Sequence, residues 1–245
     1  MKKYFLKQFD GESFQLFNTP HLGALLIIFA IITLIYFLKI NQSDKWLERI
    51  RYLLIFIIPL NEISWHTWIS SLGEWSIQED LPLHLCSLMI WMSPVLLLKK
   101  NFRIYEFVFF LGIGGAFQSL MTPNLTYYNF PHYRFFQTFI GHGGILITAV
   151  FMTVVDGFRP ERKSGLRVFL IGNVYMIIIL FVNKIIGSNY MWVSGKPEAS
   201  SILDYLGPWP YYIIGIEVMA ILTIIILSIP FYRDWSGEKK VKFRS

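Results

Sequence analysis

Seven long apolar segments run through the sequence, and they constrain the fold more than any other feature. They lie at 20–38, 51–69, 81–98, 104–121, 133–155, 167–187 and 210–230. An apolar helix of about 20 residues is long enough to cross the hydrocarbon core of a bilayer. Because the connecting segments are short, we predict a single all-α domain over residues 1–245, a polytopic membrane protein with seven transmembrane helices.

The charged residues indicate an orientation. Only 16% of the residues are charged, and lysine and arginine concentrate in alternate connections, as they do on the cytoplasmic side of membrane proteins. The basic segments are 39–52, 99–103, 159–167 and 233–244. This bias predicts an outside N-terminus, a cytoplasmic C-terminus and a multi-pass protein of the cell membrane. The net charge of +6 then faces anionic lipid, so no nucleic-acid partner is expected.

Polar residues inside the apolar segments gather at one depth. At a rise of about 1.5 Å per residue, Cys86 lies about 20 Å from Lys99, and His142 lies about 21 Å from Asp156. The same count from the cytoplasmic charges puts six further residues at about 16–26 Å: Glu62, His66, His84, Gln118, Lys184 and Glu217. Across a core of about 30 Å this is one polar layer in the outer half. We therefore predict a shared cavity that is open to the outer leaflet.

Cys86 is the only cysteine of the chain. We expect Pro82 in the first turn of the third helix and Cys86 in its second, where the helix dipole favours a thiolate. A lone cysteine is nevertheless more often a small buried hydrophobe. His84 lies about 200° around the helix from Cys86, so it cannot be its base. His142 has glycines on both sides, which permit either a cavity beside the imidazole or a hydrogen bond across helices.

Glu62 and His66 are four residues apart and share one helix face. A carboxylate at that depth is costly unless it is paired or lines a wet cavity. A functional role and a structural ion pair therefore both remain open.

Three stretches of the sequence resemble a known family. Leu81-Pro82-Leu83-His84-Leu85-Cys86 and Phe130-Pro131-His132-Tyr133-Arg134-Phe135-Phe136-Gln137, together with Gly141-His142-Gly143, resemble the YwaF-like family of bacterial integral membrane proteins. That family is similar to a eukaryotic transmembrane lysophospholipid acyltransferase that forms a cysteine acyl-enzyme, and more distantly to androgen-induced membrane hydrolases of fatty-acid esters. The resemblance implies that Cys86 is a nucleophile and that His142 is its base.

We therefore predict an acyltransferase or lipid ester hydrolase that acts on phospholipid or lysophospholipid and needs no cofactor or metal. Arg134 and Lys184 are candidates for the lipid phosphate, and His84 or Gln118 for oxyanion donors. The predicted substrate-binding residues are His84, Gln118, His132, Arg134, Gln137 and Lys184. The predicted supporting polar layer consists of Glu62, His66, Asn183 and Glu217.

Two other classes of function remain open. A transporter or a receptor-like binding protein would use the same polar layer for a solute or a proton, with Glu62, Glu217 and Lys184 as coupling residues. A haem-binding bundle would need two histidines facing each other, and His66, His84 and His142 permit that arrangement by depth.

Overall fold

A computed structural model describes residues 2–197 and 202–235, and it shows the predicted all-α fold, with no strand among these residues. The basic segment beyond residue 235, on which the predicted cytoplasmic C-terminus partly rests, lies outside them. The long helices are α1 (Thr19–Ile40), α2 (Asp44–Ser71), α3 (Leu85–Lys99), α4 (Phe102–Met121, with a π-helical turn at Val108–Gly112), α5 (Tyr133–Val154), α6 (Ser164–Ile186) and α7 (Tyr211–Ser228).

Five of the described helical segments have the length and hydropathy of a membrane span: α1, α4, α5, α6 and Tyr211–Phe231. Of the other two, α3 is apolar but has only 15 residues, and α2 has 28 residues but carries polar side chains such as Asn61 and Glu62 in its second half. Each predicted segment therefore coincides with a helix. Five of them qualify as spans on these two criteria, which is typical of a multi-pass membrane protein.

Helix α5 is the centre of the bundle. It contacts α1, α2, α3 and α4, and 72% of its apolar stretch is buried inside the protein. Glycines permit this close packing: a Cβ on Gly143 would lie 2.9 Å from Ile28 of α1, and one on Gly144 would lie 2.8 Å from Ile58 of α2. By contrast, the apolar stretches of α1 and α7 are only 17% and 6% buried, as expected for helices that face lipid.

Ion pairs hold one end of the bundle together. Arg51 of α2 donates two hydrogen bonds, of 2.9 and 2.8 Å, to the carboxylate of Asp156, and Lys100 lies 2.9 Å from the same carboxylate. The buried Glu106 of α4 accepts hydrogen bonds from Arg167 and Ser164 of α6. We call this the inner end and the opposite one, which holds residues 72–84 and 122–132, the outer end, following the predicted orientation.

Helix α3 begins four residues later than predicted. His84 is its N-cap and Leu85 its first residue, so Cys86 lies in the first turn and the prediction of a second-turn position was wrong. The chain before it is held outside the helix, because the Tyr190 hydroxyl accepts a hydrogen bond from the Leu81 N–H at 2.8 Å and the Tyr175 hydroxyl donates one to the Leu83 carbonyl at 2.9 Å.

Candidate active site

Cys86 lies at a helix N-terminus whose first backbone donors are not bonded by any residue that the structure describes. The first N–H of α3 to be bonded is that of Leu88, which donates to the His84 carbonyl at 3.0 Å. The N–H groups of Leu85, Cys86 and Ser87 have no partner among the described residues, and His84 provides no side-chain cap. Such a terminus is electropositive and attracts negative charge. The half-buried thiol of Cys86 is thus next to donors that can stabilise an anion.

The thiol of Cys86 also contacts α4. Its Sγ is 4.0 Å from the Ser119 hydroxyl oxygen, and a Cβ on Gly115 would lie 3.2 Å from it. Ser119 and Gly115 are one helical turn apart, so one face of α4 borders the sulfur.

His142 of α5 has a hydrogen bond that defines its tautomer. Its Nδ1 is 2.9 Å from the carbonyl oxygen of Thr138. A carbonyl only accepts, so Nδ1 must carry the proton of the neutral imidazole, and Nε2 keeps its lone pair. This is the state that a general base needs.

The other four histidines of the chain have the opposite arrangement. In each of them Nδ1 lies within hydrogen-bond distance of an N–H group, at 2.9–3.2 Å, so Nδ1 is the acceptor and the neutral ring carries its proton on Nε2. The pairs are His21 with Phe17 N–H, His66 with Trp75 Nε1–H, His84 with Met191 N–H, and His132 with Arg134 N–H. His142 therefore presents a basic Nε2, whereas His84 presents an N–H donor.

Cys86 and His142 are related through a contact of three helices. A Cβ on Gly112 of α4 would lie 2.9 Å from Ile145 of α5 and 3.7 Å from Met89 of α3. Cys86 lies three residues before Met89 in α3, and His142 lies three residues before Ile145 in α5. Each of the two is therefore about one helical turn from this contact. Within the described residues, Cys86 contacts the Ser119 hydroxyl and His142 bonds to the Thr138 carbonyl, and no hydrogen bond joins Cys86 to His142. Catalytic pairing of the two therefore stays a prediction.

The family model of the TMEM164 family matches residues 16–228, which is most of the chain. The chain belongs to the TMEM164 family. Searches of curated proteins and of solved structures found no significant match. The family is one of transmembrane proteins, which agrees with the apolar helices of a multi-pass membrane protein. The relationships to the YwaF-like family and to acyltransferases stay predictions.

The six predicted substrate-binding residues of this TMEM164 family member lie in three different settings. His84 is packed against the rings of Tyr190 and Trp192, with centroid distances of 5.2 Å to each. Gln118 and Lys184 are exposed. His132, Arg134 and Gln137 form a separate cluster at the outer end of α5.

The cluster at the start of α5 is built on a helix cap. His132 is fully buried; its Nδ1 accepts from the Arg134 N–H at 3.2 Å, and its Nε2–H donates to the Leu6 carbonyl at 3.0 Å. Burial holds the pKa of His132 below its ordinary value. The Arg134 guanidinium donates to the Gln137 amide oxygen and lies 4.1 Å from the centroid of the Trp65 ring.

The predicted supporting layer is distributed over several contacts. The His66 Nε2 lies 3.9 Å from a Glu62 carboxylate oxygen. Asn183 bonds to Tyr190 and Ser194 of the loop that follows α6. Glu217 accepts a hydrogen bond from the amide of Asn173 at 3.0 Å, between α6 and α7. Across the described residues, no group of three or more His, Cys, Asp or Glu side chains could hold a metal ion.

Sequence reasoning missed the immediate neighbours of Cys86 and His142. Ser119 follows Gly115 by four residues, and this spacing was a signal that a small and a polar residue share one helix face. Thr138 acts through its backbone carbonyl, which no side-chain pattern marks.

Proposed function

We propose that the chain is a membrane-embedded acyltransferase, or a lipid ester hydrolase, with Cys86 as nucleophile and His142 as base. One observation carries the proposal: the bond from His142 Nδ1 to the Thr138 carbonyl leaves Nε2 as a proton acceptor. The position of Cys86 at the free N-terminus of α3 supports it, because three backbone N–H groups are available for an oxyanion.

The reaction has two halves. In the first, His142 Nε2 takes the thiol proton, and Cys86 Sγ attacks the carbonyl carbon of a phospholipid ester. The tetrahedral oxyanion is stabilised by the first-turn N–H groups of α3 and by the Nε2–H of His84. As the oxyanion collapses, the ester C–O bond breaks, and His142 returns its proton to the departing lysolipid oxygen. The products are a Cys86 thioester and a lysolipid.

In the second half, a hydroxyl group attacks the thioester. His142 takes the proton of that hydroxyl, the C–S bond breaks, and the proton returns to Cys86 so that the free thiol is restored. A lysolipid hydroxyl as the acceptor gives acyl transfer, and water gives hydrolysis. The apolar surroundings of Cys86, with Leu85 and Leu88 packed against the core, limit water and favour transfer.

The proposed topology puts this chemistry at the outer leaflet of the cell membrane. In this topology all seven long helices cross the bilayer, α3 together with the loop 81–84, and the N-terminus lies outside. A cysteine introduced at Ser13 in a Cys86→Ser background should react with an impermeant maleimide on intact cells, and one introduced at Ser236 should not. Labelling of Ser236 from outside would contradict this orientation.

The catalytic proposal is tested with purified protein in lipid nanodiscs. We expect Cys86→Ala and His142→Ala each to abolish acyl transfer between a labelled phospholipid and a lysophospholipid, and the double variant to be no worse, because the two residues act as one unit. An iodoacetamide probe should label wild-type Cys86 far faster than Cys86 in His142→Ala. Gly23→Ala is the control, since a Cβ there meets nothing within 4 Å. Unchanged lipid turnover in Cys86→Ala would refute the proposal.

A further inference from the structure

A cleft of about 240 Å³ opens at the outer end of the bundle, between the end of α2 and the loop 122–131. We call it the Arg134 cleft. It combines one cation, one anion and several aromatic rings; the side chains that matter here are Trp65, Trp68, Glu74, Tyr127, Tyr128 and Arg134.

Arg134 brings an unpaired positive charge to this cleft. Its guanidinium donates to the neutral amide of Gln137 and stacks on Trp65, and it forms no ion pair with any described residue. Arg51 and Arg167, by contrast, are each paired with a carboxylate. A guanidinium has five N–H donors in a planar fork that suits phosphate. The free donors of Arg134 therefore fit a bound phosphate.

The same cleft carries an acidic and aromatic side. Glu74 holds Lys7 through one carboxylate oxygen, at 2.6 Å. Tyr128 is stacked on His132 with ring centroids 4.5 Å apart, and Tyr127 is exposed. Aromatic faces beside a carboxylate attract ammonium groups, including quaternary ones. The second carboxylate oxygen of Glu74 has no partner among the described residues, so it is left to attract an ammonium group of a ligand.

We propose that the Arg134 cleft binds the zwitterionic headgroup of a phospholipid, with the phosphate on Arg134 and the ammonium group against Glu74 and the two tyrosines. The proposal rests on the proposed function and names the headgroup that its substrate carries. Arg134 precedes His142 by eight residues on α5, so it lies about 12 Å nearer the outer end. A headgroup in the cleft thus lies farther out than the ester, as in a lipid of the outer leaflet.

Binding is measured by native mass spectrometry with short-chain lipids, on Cys86→Ala protein, in which the catalytic proposal predicts no turnover. We expect phosphatidylcholine to bind about tenfold more tightly than phosphatidylglycerol, and Arg134→Gln to weaken both by about tenfold or more. Glu74→Gln should reduce the preference for phosphatidylcholine. Equal binding of the two lipids, or unchanged binding in Arg134→Gln, would overturn the proposal.

Three controls separate the alternatives. Arg49→Gln removes a guanidinium that stacks on Trp46 at 4.6 Å, at the inner end of α2, and should leave binding unchanged. Arg134→Lys keeps the charge without the fork, so it should bind with intermediate strength if the protein folds.

Free phosphocholine should bind more weakly than the short-chain lipid; the reverse order would assign the cleft to a soluble ligand and overturn the lipid proposal. If the wild-type protein transfers acyl groups but the Cys86→Ala protein does not prefer phosphatidylcholine to phosphatidylglycerol, the headgroup site alone is rejected. If the headgroup binds as proposed but no acyl transfer occurs, the catalytic proposal alone is rejected.

Discussion

The sulfur of Cys86 lies 3.2 Å from the point where a Cβ on Gly115 would stand. The missing side chain of Gly115 therefore leaves the space in which the thiol lies, and Ser119 borders that space one turn further along α4. Close approach of α3 and α4 at this level brings the free N-terminus of α3 into the bundle.

We expect Gly115→Ala to slow iodoacetamide labelling of Cys86 and acyl transfer several-fold, because the added methyl group must displace the sulfur. Folding should survive, since alanine favours a helix over glycine by about 0.5–1 kcal/mol. Labelling rates and thermal unfolding temperatures in detergent measure the two effects. Gly23→Ala, with open space around its Cβ, is the matched control. Equal labelling rates in Gly115→Ala and wild type would show that the contact does not constrain the thiol.

Two substitutions of His84 distinguish a donor to the substrate from a support of the loop. Asparagine can reproduce the Nδ1 acceptor that binds the Met191 N–H, and glutamine can reproduce the Nε2–H donor. If His84 stabilises the oxyanion, His84→Asn should lose about a hundredfold in kcat, while His84→Gln keeps more activity. The opposite order of activities would make His84 a positioning residue for the loop after α6.

The sequence was sufficient to predict the all-α fold and the approximate position of each long helix, because a run of about 20 apolar residues has few alternatives in a membrane protein. Helix α2 begins at Asp44, inside the predicted basic loop 39–52. The sequence was also insufficient for the start of α3. Leu81 and Leu83 continue the apolar run, but they pack against a small separate core around Tyr190 and Ile179, and the Tyr190 hydroxyl holds Leu81 outside the helix. Such a contact depends on residues more than a hundred positions away.

The candidate site was predictable only as a set of residue types. Equal depth could group Cys86 with His142, but it could not show which histidine has a free basic nitrogen. That property depends on the neighbours of each ring, a carbonyl for His142 and an N–H for His84. A depth counted along one helix also could not predict contacts between neighbouring helices, such as the hydrogen bond from the Asn173 amide of α6 to Glu217 of α7.

His132 should make the stability of the fold depend on pH. Burial lowers its pKa in the folded protein, so the neutral ring is favoured by folding and stability is complete above the ordinary pKa of about 6.5. Stability should fall as the pH drops below that value, because the unfolded chain takes up the proton first and a protonated Nδ1 cannot accept from the Arg134 N–H. Thermal unfolding at pH 7.5 and 5.5 measures this loss.

The matched variant is His132→Asn, which retains a side-chain acceptor suited to an N-cap but does not titrate. The loss of stability between the two pH values should be smaller in this variant than in wild type. The remaining histidines are present in both proteins, so the difference isolates His132. The same loss in both would show that another group is responsible.

Glu106 and Glu161 both bind Arg167, but only Glu106 should be essential for stability. The Glu106 side chain is fully buried and also accepts from Ser164, whereas the Glu161 side chain is 57% exposed and lies 3.0 Å from Arg167. Glu106→Gln leaves a partly buried guanidinium without its main counter-charge, which costs about 3–5 kcal/mol. Glu161→Gln removes a solvated pair worth about 0–1 kcal/mol. Thermal unfolding and the monodispersity of the purified variants measure the difference. Similar unfolding temperatures would show that α4 and α6 are held together by packing, such as that of Leu111 against Gly172, and not by the buried carboxylate.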